Sequence, residues 1–357
     1  MAFASFSTRT TSFTARCLRY CLVAACLSAC ALAFAQRQTP EHEDTDSDER
    51  TEANAITRQG VSASTLGVVV NVQDPHSVAV ARQYMRERGI AQANLIAVSL
   101  TPRQAELSPP SFEAIYRQSI EPLGDRIQAL VLTWNKPYRV GCMSITSAFA
   151  MGYSQAYCAS GCQYTRASGY FDSRSRAPWT SHGVRPTMML AGPSFDAVSA
   201  LIDRGVAADG SRPEVSTAYV VQTPDAARSI RSVGHPAGET KPIAGSGTVL
   251  KYVNGAAIKG DRSTLAYFIG AANVAGLAEN RYLPGAVGDH LTSFGGILDG
   301  NTGQMSVLEW IRHGLTGSYG TVVEPCNYPQ KFPDPEVFLE HYSEGDTLVE
   351  AYWKSVV

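Results

Sequence analysis

The chain has 357 residues, of which 44% are hydrophobic and 17% charged, and its formal net charge is −2. A chain of this length buries a full core and lies near the size at which one domain divides into two. It offers no basic stripe, which excludes nucleic acid from the partners its electrostatics favour.

Residues 1–35 carry Arg9, Arg16 and Arg19 and no acid, and an apolar run fills 20–35. A basic start, an apolar stretch short of the roughly 20 residues of a membrane span and a small-residue exit predict a secretory signal peptide. Two processing sites compete. Ala33, Phe34 and Ala35 suit ordinary cleavage before Gln36, whereas Leu27 to Cys30 has the form of a bacterial lipobox. The apolar run continues past Cys30, which favours cleavage after Ala35; attachment to a membrane is expected only with a lipidated Cys30. Loss of the leader and its three arginines takes the formal charge from −2 to −5. All of that excess lies in 36–52, with seven acids against Arg37 and Arg50. Residues 36–62 therefore read as a solvated, disordered acidic spacer. The run lacks the glycine and terminal glutamate of a calcium loop.

Residues 63–357 read as a single α/β domain. The β-branched run 66–72 predicts a strand, and the periodic stretch 77–89 a helix with Asp74 as N-cap and Pro75 at its first position. Strand 94–100, helix 111–123 and strand 127–133 follow. This alternation predicts a mostly parallel sheet flanked by helices. From 134 to 180 the pattern breaks into clustered Gly, Ser, Tyr, Arg and Cys, a long insertion of the kind that is functional or tied by disulfides. Regularity returns with strand 186–190, helix 194–208, strand 216–222, a short helix from Asp225, and strands 249–253 and 265–269. Two further strand-like runs, 285–296 and 317–327, enclose a helix over 306–313, and helices at about 334–344 and 347–356 close the chain.

Four cysteines remain beyond the leader: Cys142, Cys158, Cys162 and Cys326. In an oxidising compartment the first three are the natural disulfide candidates. If two of them pair, Cys326 is either free or bonded to the third. Cys158 and Cys162 without a second matching pair are a weak zinc signal.

The chemistry concentrates in the two last strand-like runs. His290 stands near the end of the first and Cys326 at the end of the second. A strand, crossover helix and parallel strand bring both carboxyl ends to one sheet edge, where α/β proteins place their ligands. An imidazole beside a thiol is the minimal set for acyl transfer, with Cys326 as nucleophile, His290 as general base and Asp289 or Glu324 as orienting groups. The competing structural reading makes Cys326 inert or disulfide-bonded and Asp289–His290 a hydrogen-bonded pair. Ser293 lies three residues from His290, on the opposite face of an extended strand. His313 suits a helix C-terminus, and Asp172, Arg174 and Arg176 suit solvated surface. No glycine-rich loop follows the first strand, so no dinucleotide cofactor is expected, and no metal or other cofactor is assigned. The absence of a Gly-x-Ser-x-Gly elbow disfavours an ordinary α/β-hydrolase.

Residues 68–89, 129–133, 185–191, 289–295 and 317–325 resemble an uncharacterised family of exported bacterial proteins associated with species that carry exosortase-type sorting systems. The resemblance covers the chain from about Leu66 onwards and implies an envelope setting, periplasmic or extracellular. It also implies that related chains continue beyond Val357. More distantly, the arrangement is similar to the caspase and gingipain-like cysteine peptidase fold, which implies His290 and Cys326 as its histidine and cysteine. In this chain Leu291 follows the histidine where that fold usually has glycine. The functional expectation is an exported cysteine peptidase or transpeptidase-like enzyme acting on a peptide or protein of the envelope. The alternatives are a non-catalytic binding or assembly factor on the same fold, and a metal-dependent hydrolase using Asp289, His290 and Glu324.

Overall fold

A computed structural model of the chain describes residues 60–211 and 213–357. The leader and nearly all of the acidic spacer lie outside the described residues.

The chain opens as its local chemistry dictates. Strand β1 (Leu66–Asn71) enters helix α1 (Pro75–Arg88), whose N-cap Asp74 accepts the His76 amide hydrogen and whose Gly89 takes the left-handed conformation that ends it. Strand β2 (Leu95–Val98), a two-residue strand β3 (Glu106–Leu107), helix α2 (Pro109–Ser119) and strand β4 (Ala129–Leu132) come next. The insertion at 134–180 is not structureless: it contains β5 (Arg139–Val140), β6 (Met143–Ser144), α3 (Ile145–Met151) and the start of α4 (Pro178–His182). Then follow β7 (Thr187–Met189), α5 (Phe195–Ala208), β8 (Ser216–Gln222), β9 (Thr240–Pro242), β10 (Thr248–Asn254), β11 (Thr264–Ile269) and β12 (Tyr282–His290). The last helices are α6 (Leu308–Arg312), α7 (Pro335–Ser343) and α8 (Leu348–Lys354).

The expected α/β architecture is present, with its parallel strands distributed over two sheets. One, in the order β2-β1-β4-β7, is wholly parallel. The other, β12-β11-β8-β10-β9, is parallel except for β9. A small sheet β3-β5-β6 holds the insertion to the body. Both faces of each large sheet are covered, which is why the strands read as continuous apolar runs. Val68, Val70 and Val131 pack on Ala81 and Met85 of α1, while Val69, Leu130 and Leu132 turn the other way onto Phe112, Trp134 and Phe149. In the second sheet Val220, Leu250 and Phe268 meet Phe338, Leu339 and Tyr352 of the closing helices, and Val221, Tyr267 and Ile269 meet Trp310 and Leu315.

Two expected elements differ. The helix from Asp225 reduces to a 3-10 turn at Ile230–Ser232. The strand over 317–327 is absent: only Gly317 makes a bridge, parallel to Val287 of β12. The crossover thus delivers the chain to the correct edge, but no ladder propagates. Gly317 and Gly320 bring no side chain to pack, and Pro325 brings no N–H. The Thr321 hydroxyl donates to the carbonyls of Thr292 (2.9 Å) and Ser293 (2.6 Å), so a side chain makes the cross-connection there. Downstream, the Cys326 amide donates to the Glu324 carboxylate at 2.8 Å, and Cys326 has a left-handed φ of 56° that no strand continues.

Candidate functional site

The four cysteines form two disulfides, Cys142–Cys158 within the insertion and Cys162–Cys326 between the insertion and the loop after Gly317. Of the alternatives for Cys326, the structure takes the bonded one. A disulfide sulfur carries no thiolate, so Cys326 is not a nucleophile in this state.

His290, at the end of β12, is 3% exposed, and both of its ring nitrogens are engaged. Nδ1 accepts the Trp310 indole N–H at 3.0 Å, leaving Nε2–H to donate to the Met305 carbonyl at 2.8 Å. Gly288 makes this possible, since a Cβ at that position of the strand would collide with the Trp310 ring. Burial pushes the imidazole down to about 4; the Met305 carbonyl opposes the shift and the Arg231 charge adds to it. Beside it, Asp289 is fully buried and bonded to Arg231, which reaches Asp289 Oδ1 at 2.7 Å and the Ile269 carbonyl at 3.3 Å. Burial raises the Asp289 carboxyl above its usual range despite the attraction of Arg231, and its Oδ2 has no partner.

The Cys326/His290 dyad is therefore not assembled. The sulfur is bonded to Cys162, the imidazole is capped at both nitrogens, Asp289 faces Arg231 rather than His290, and Glu324 caps the Cys326 amide. The same contacts keep Asp289, His290 and Glu324 from converging on a cation, and no group of three metal-competent side chains occurs among the described residues. The other sequence candidates have structural partners. His313 Nδ1 bonds the Glu309 carbonyl as a helix-end cap, Asp172 contacts His341, and Arg174 pairs with Glu340 and Glu344.

His290 has a measurable consequence for acid stability. An imidazole held near 4 in the fold and near 6.5 when unfolded is protonated first in the unfolded chain, so stability falls as pH drops from about 6.5 to about 4. The full loss is about 3 kcal/mol. Urea denaturation at pH 7 and pH 4.5 is expected to show most of it in the native sequence and not in His290→Gln. Equal pH slopes for the two proteins would refute the assignment.

What the structure opens instead is a cleft between the two sheets. It has a volume of about 1010 Å³ and is lined from one side by Leu130 and Met188, from the other by Tyr319, and from the flanking helices by Leu201 and Tyr352. One wall is the outer edge of β7, where the Trp353 indole N–H caps the Thr187 carbonyl at 3.0 Å. The facing wall is the unladdered segment after Gly317, tied to β12 and the loop beyond it by Gly288 N–H to Gly317 and Gly296 N–H to Thr321. The hydroxyl of Tyr352, a residue 4% exposed, lacks a partner, as does that of Ser318 on the same lining. None of the four predicted residues lines the cleft. At one end, Tyr138 donates to Asp299 at 3.1 Å and Lys136 pairs with the same carboxylate, linking the loops that leave β4 and β12.

The cleft escaped sequence reasoning because its walls come from segments remote along the chain, each of which reads as ordinary core. The one usable signal was the pair of glycines in 317–320, which weakens a strand expected there. Comparison of the chain with protein-family models, curated proteins and solved structures finds no match.

Proposed function

We propose that this protein is an exported, non-catalytic binding factor whose cleft between the two sheets receives an extended, largely apolar peptide segment of an envelope partner. The observation that carries the reading is the cleft itself. Close-packed interiors leave voids of about a water molecule, whereas ligand sites are clefts of several hundred Å³. A cleft of about 1010 Å³ with a largely apolar lining has the size and character of a ligand site, which supports this reading. The outer edge of β7 lies along it and offers backbone groups of the kind extended peptides use. The two disulfides suit an oxidising compartment outside the cytoplasm. Among the described residues no helix is long and apolar enough to cross a membrane, so attachment to one depends on the leader.

The test is a titration of the purified protein with a fluorescently labelled peptide of alternating Leu and Ser and, separately, with anilinonaphthalene sulfonate. Saturable binding of both is expected, with affinity reduced at least about tenfold in Met188→Trp, whose ring would occupy the cleft. Absence of saturable binding, or a Met188→Trp protein that binds as well as the native one, would overturn the proposal. Rapid thiol labelling of Cys326 without prior reduction, abolished by His290→Ala, would instead restore the cysteine enzyme.

A further inference from the structure

We infer that the Cys162–Cys326 disulfide is a redox-addressable strap across the cleft, opened by thiol–disulfide exchange with a dithiol reductant of the export compartment. The control of ligand access rests on the binding reading above; the reducibility of the bond does not.

The two disulfides occupy different surroundings. Cys142–Cys158 closes a short loop inside the insertion, with Cys158 buried against the first sheet's core. Cys162–Cys326 joins residues 164 apart in sequence; Cys162 is exposed and Cys326 half-buried. Both residues of this second bond have left-handed backbone, φ 65° at Cys162 and 56° at Cys326, a conformation that non-glycine residues hold only when the surrounding structure imposes it. Accessible disulfides in constrained settings are the labile and regulatory ones.

What the bond fastens is equally specific. On the insertion side Thr165 and Arg166 line the cleft, and on the other side Pro325 and Lys331 do. The Lys331 ammonium crosses the same junction, donating to the Gln163 carbonyl and to the Pro325 carbonyl at 2.9 Å, and Tyr164 packs on Tyr328 at 5.3 Å between ring centres. The disulfide is thus the covalent member of a joint between two cleft walls.

In the exchange, a thiolate of the dithiol attacks the sulfur of Cys162, the exposed residue of the pair. A mixed disulfide forms and Cys326 leaves as a thiolate, one residue on from Pro325, whose carbonyl accepts from the Lys331 ammonium. The second sulfur of the reductant then displaces Cys162 and closes its own ring. The protein gains two electrons and two protons as two thiols, and the dithiol loses the same as a cyclic disulfide.

The native protein is exposed to graded dithiothreitol, quenched with an alkylating reagent and mapped by mass spectrometry, while near-UV circular dichroism monitors tertiary structure. Anilinonaphthalene sulfonate affinity is read on the same samples. Cys162 and Cys326 are expected to become labelled at least about tenfold faster than Cys142 and Cys158, with the tertiary signal retained. Dye affinity is expected to rise several-fold on reduction, and to reach that value without reductant in Cys162→Ser/Cys326→Ser. Labelling of Cys142 and Cys158 first, or of all four only as the tertiary signal collapses, would overturn the inference without touching the binding reading. Prior reduction of Cys162–Cys326 with dye affinity unchanged would show that the bond straps nothing. No dye binding in either redox state would remove both the cleft as a receptor and the strap.

Discussion

Replacing Arg231 by methionine is expected to destabilise the fold by about 3–5 kcal/mol, because it leaves the Asp289 carboxylate buried and unpaired. Arg231 is the one cation in contact with Asp289 among the described residues; its side chain is 5% exposed and that of Asp289 fully buried, so solvent replaces neither. Asp289 Oδ2 already lacks a partner, which leaves no second donor to compensate. The pH dependence follows from the direction of the shift. A carboxyl whose folded value lies above its unfolded one gains a proton on folding, so stability rises as pH falls through the folded value. Loss of Arg231 raises that value further, and the deficit of the variant should be largest at pH 7 and shrink at pH 5. The double variant Arg231→Met/Asp289→Leu, which removes both charges, should recover much of the loss. Urea denaturation of the three variants at both pH values decides the matter; a loss below about 1 kcal/mol in Arg231→Met would mean that the pair is not the buried contact described.

Asp346→Ala is expected to have an effect of the same size. Asp346 Oδ2 accepts from Lys354 Nζ at 2.5 Å and from His341 Nδ1 at 2.9 Å, and Lys354 and His341 are each 1% exposed. The His341 Nε2 meets Asp172 of the insertion at 3.1 Å, so one network joins the insertion to the last two helices. Alanine at 346 leaves a buried ammonium without a carboxylate, at a cost of about 3–5 kcal/mol. Burial alone would push the Asp346 carboxyl up, but the hydrogen bonds from His341 and Lys354 outweigh it and hold the group below its ordinary value. Its contribution is therefore complete above the unfolded value of 3.8 and is lost as pH falls through the folded one. Thermal unfolding at pH 7 should show a lower midpoint for Asp346→Ala, with partial recovery in Asp346→Ala/Lys354→Met. A midpoint equal to that of the native protein would show that the network contributes nothing to stability.

The first of these clusters also shows what engages Asp289 and His290 in the fold. Asp289 and His290 end a strand whose both faces are packed, so Asp289 Oδ1 and both His290 ring nitrogens take their partners from the protein. The partners are Arg231 on one segment and Met305 and Trp310 on another. Sequence order offered no sign of Arg231, 58 residues upstream, as the counter-ion. Nor did it distinguish a free Cys326 from one bonded to Cys162, since that choice depends on where a long insertion folds back.

Local order determined the rest. Asp74 with Pro75 caps its helix as expected, Ser194 and Thr347 cap the helices expected from those positions, and the runs at 66–71, 216–222 and 264–269 are strands. Such features are legible in one dimension because caps act within one turn and strand burial follows a short period. The cleft, the counter-ions and the disulfide partners arise instead from the way two sheets leave their edges facing and an insertion returns across them. Those are contacts between segments distant along the chain, made only once the packing of both cores has set which side chains share a wall.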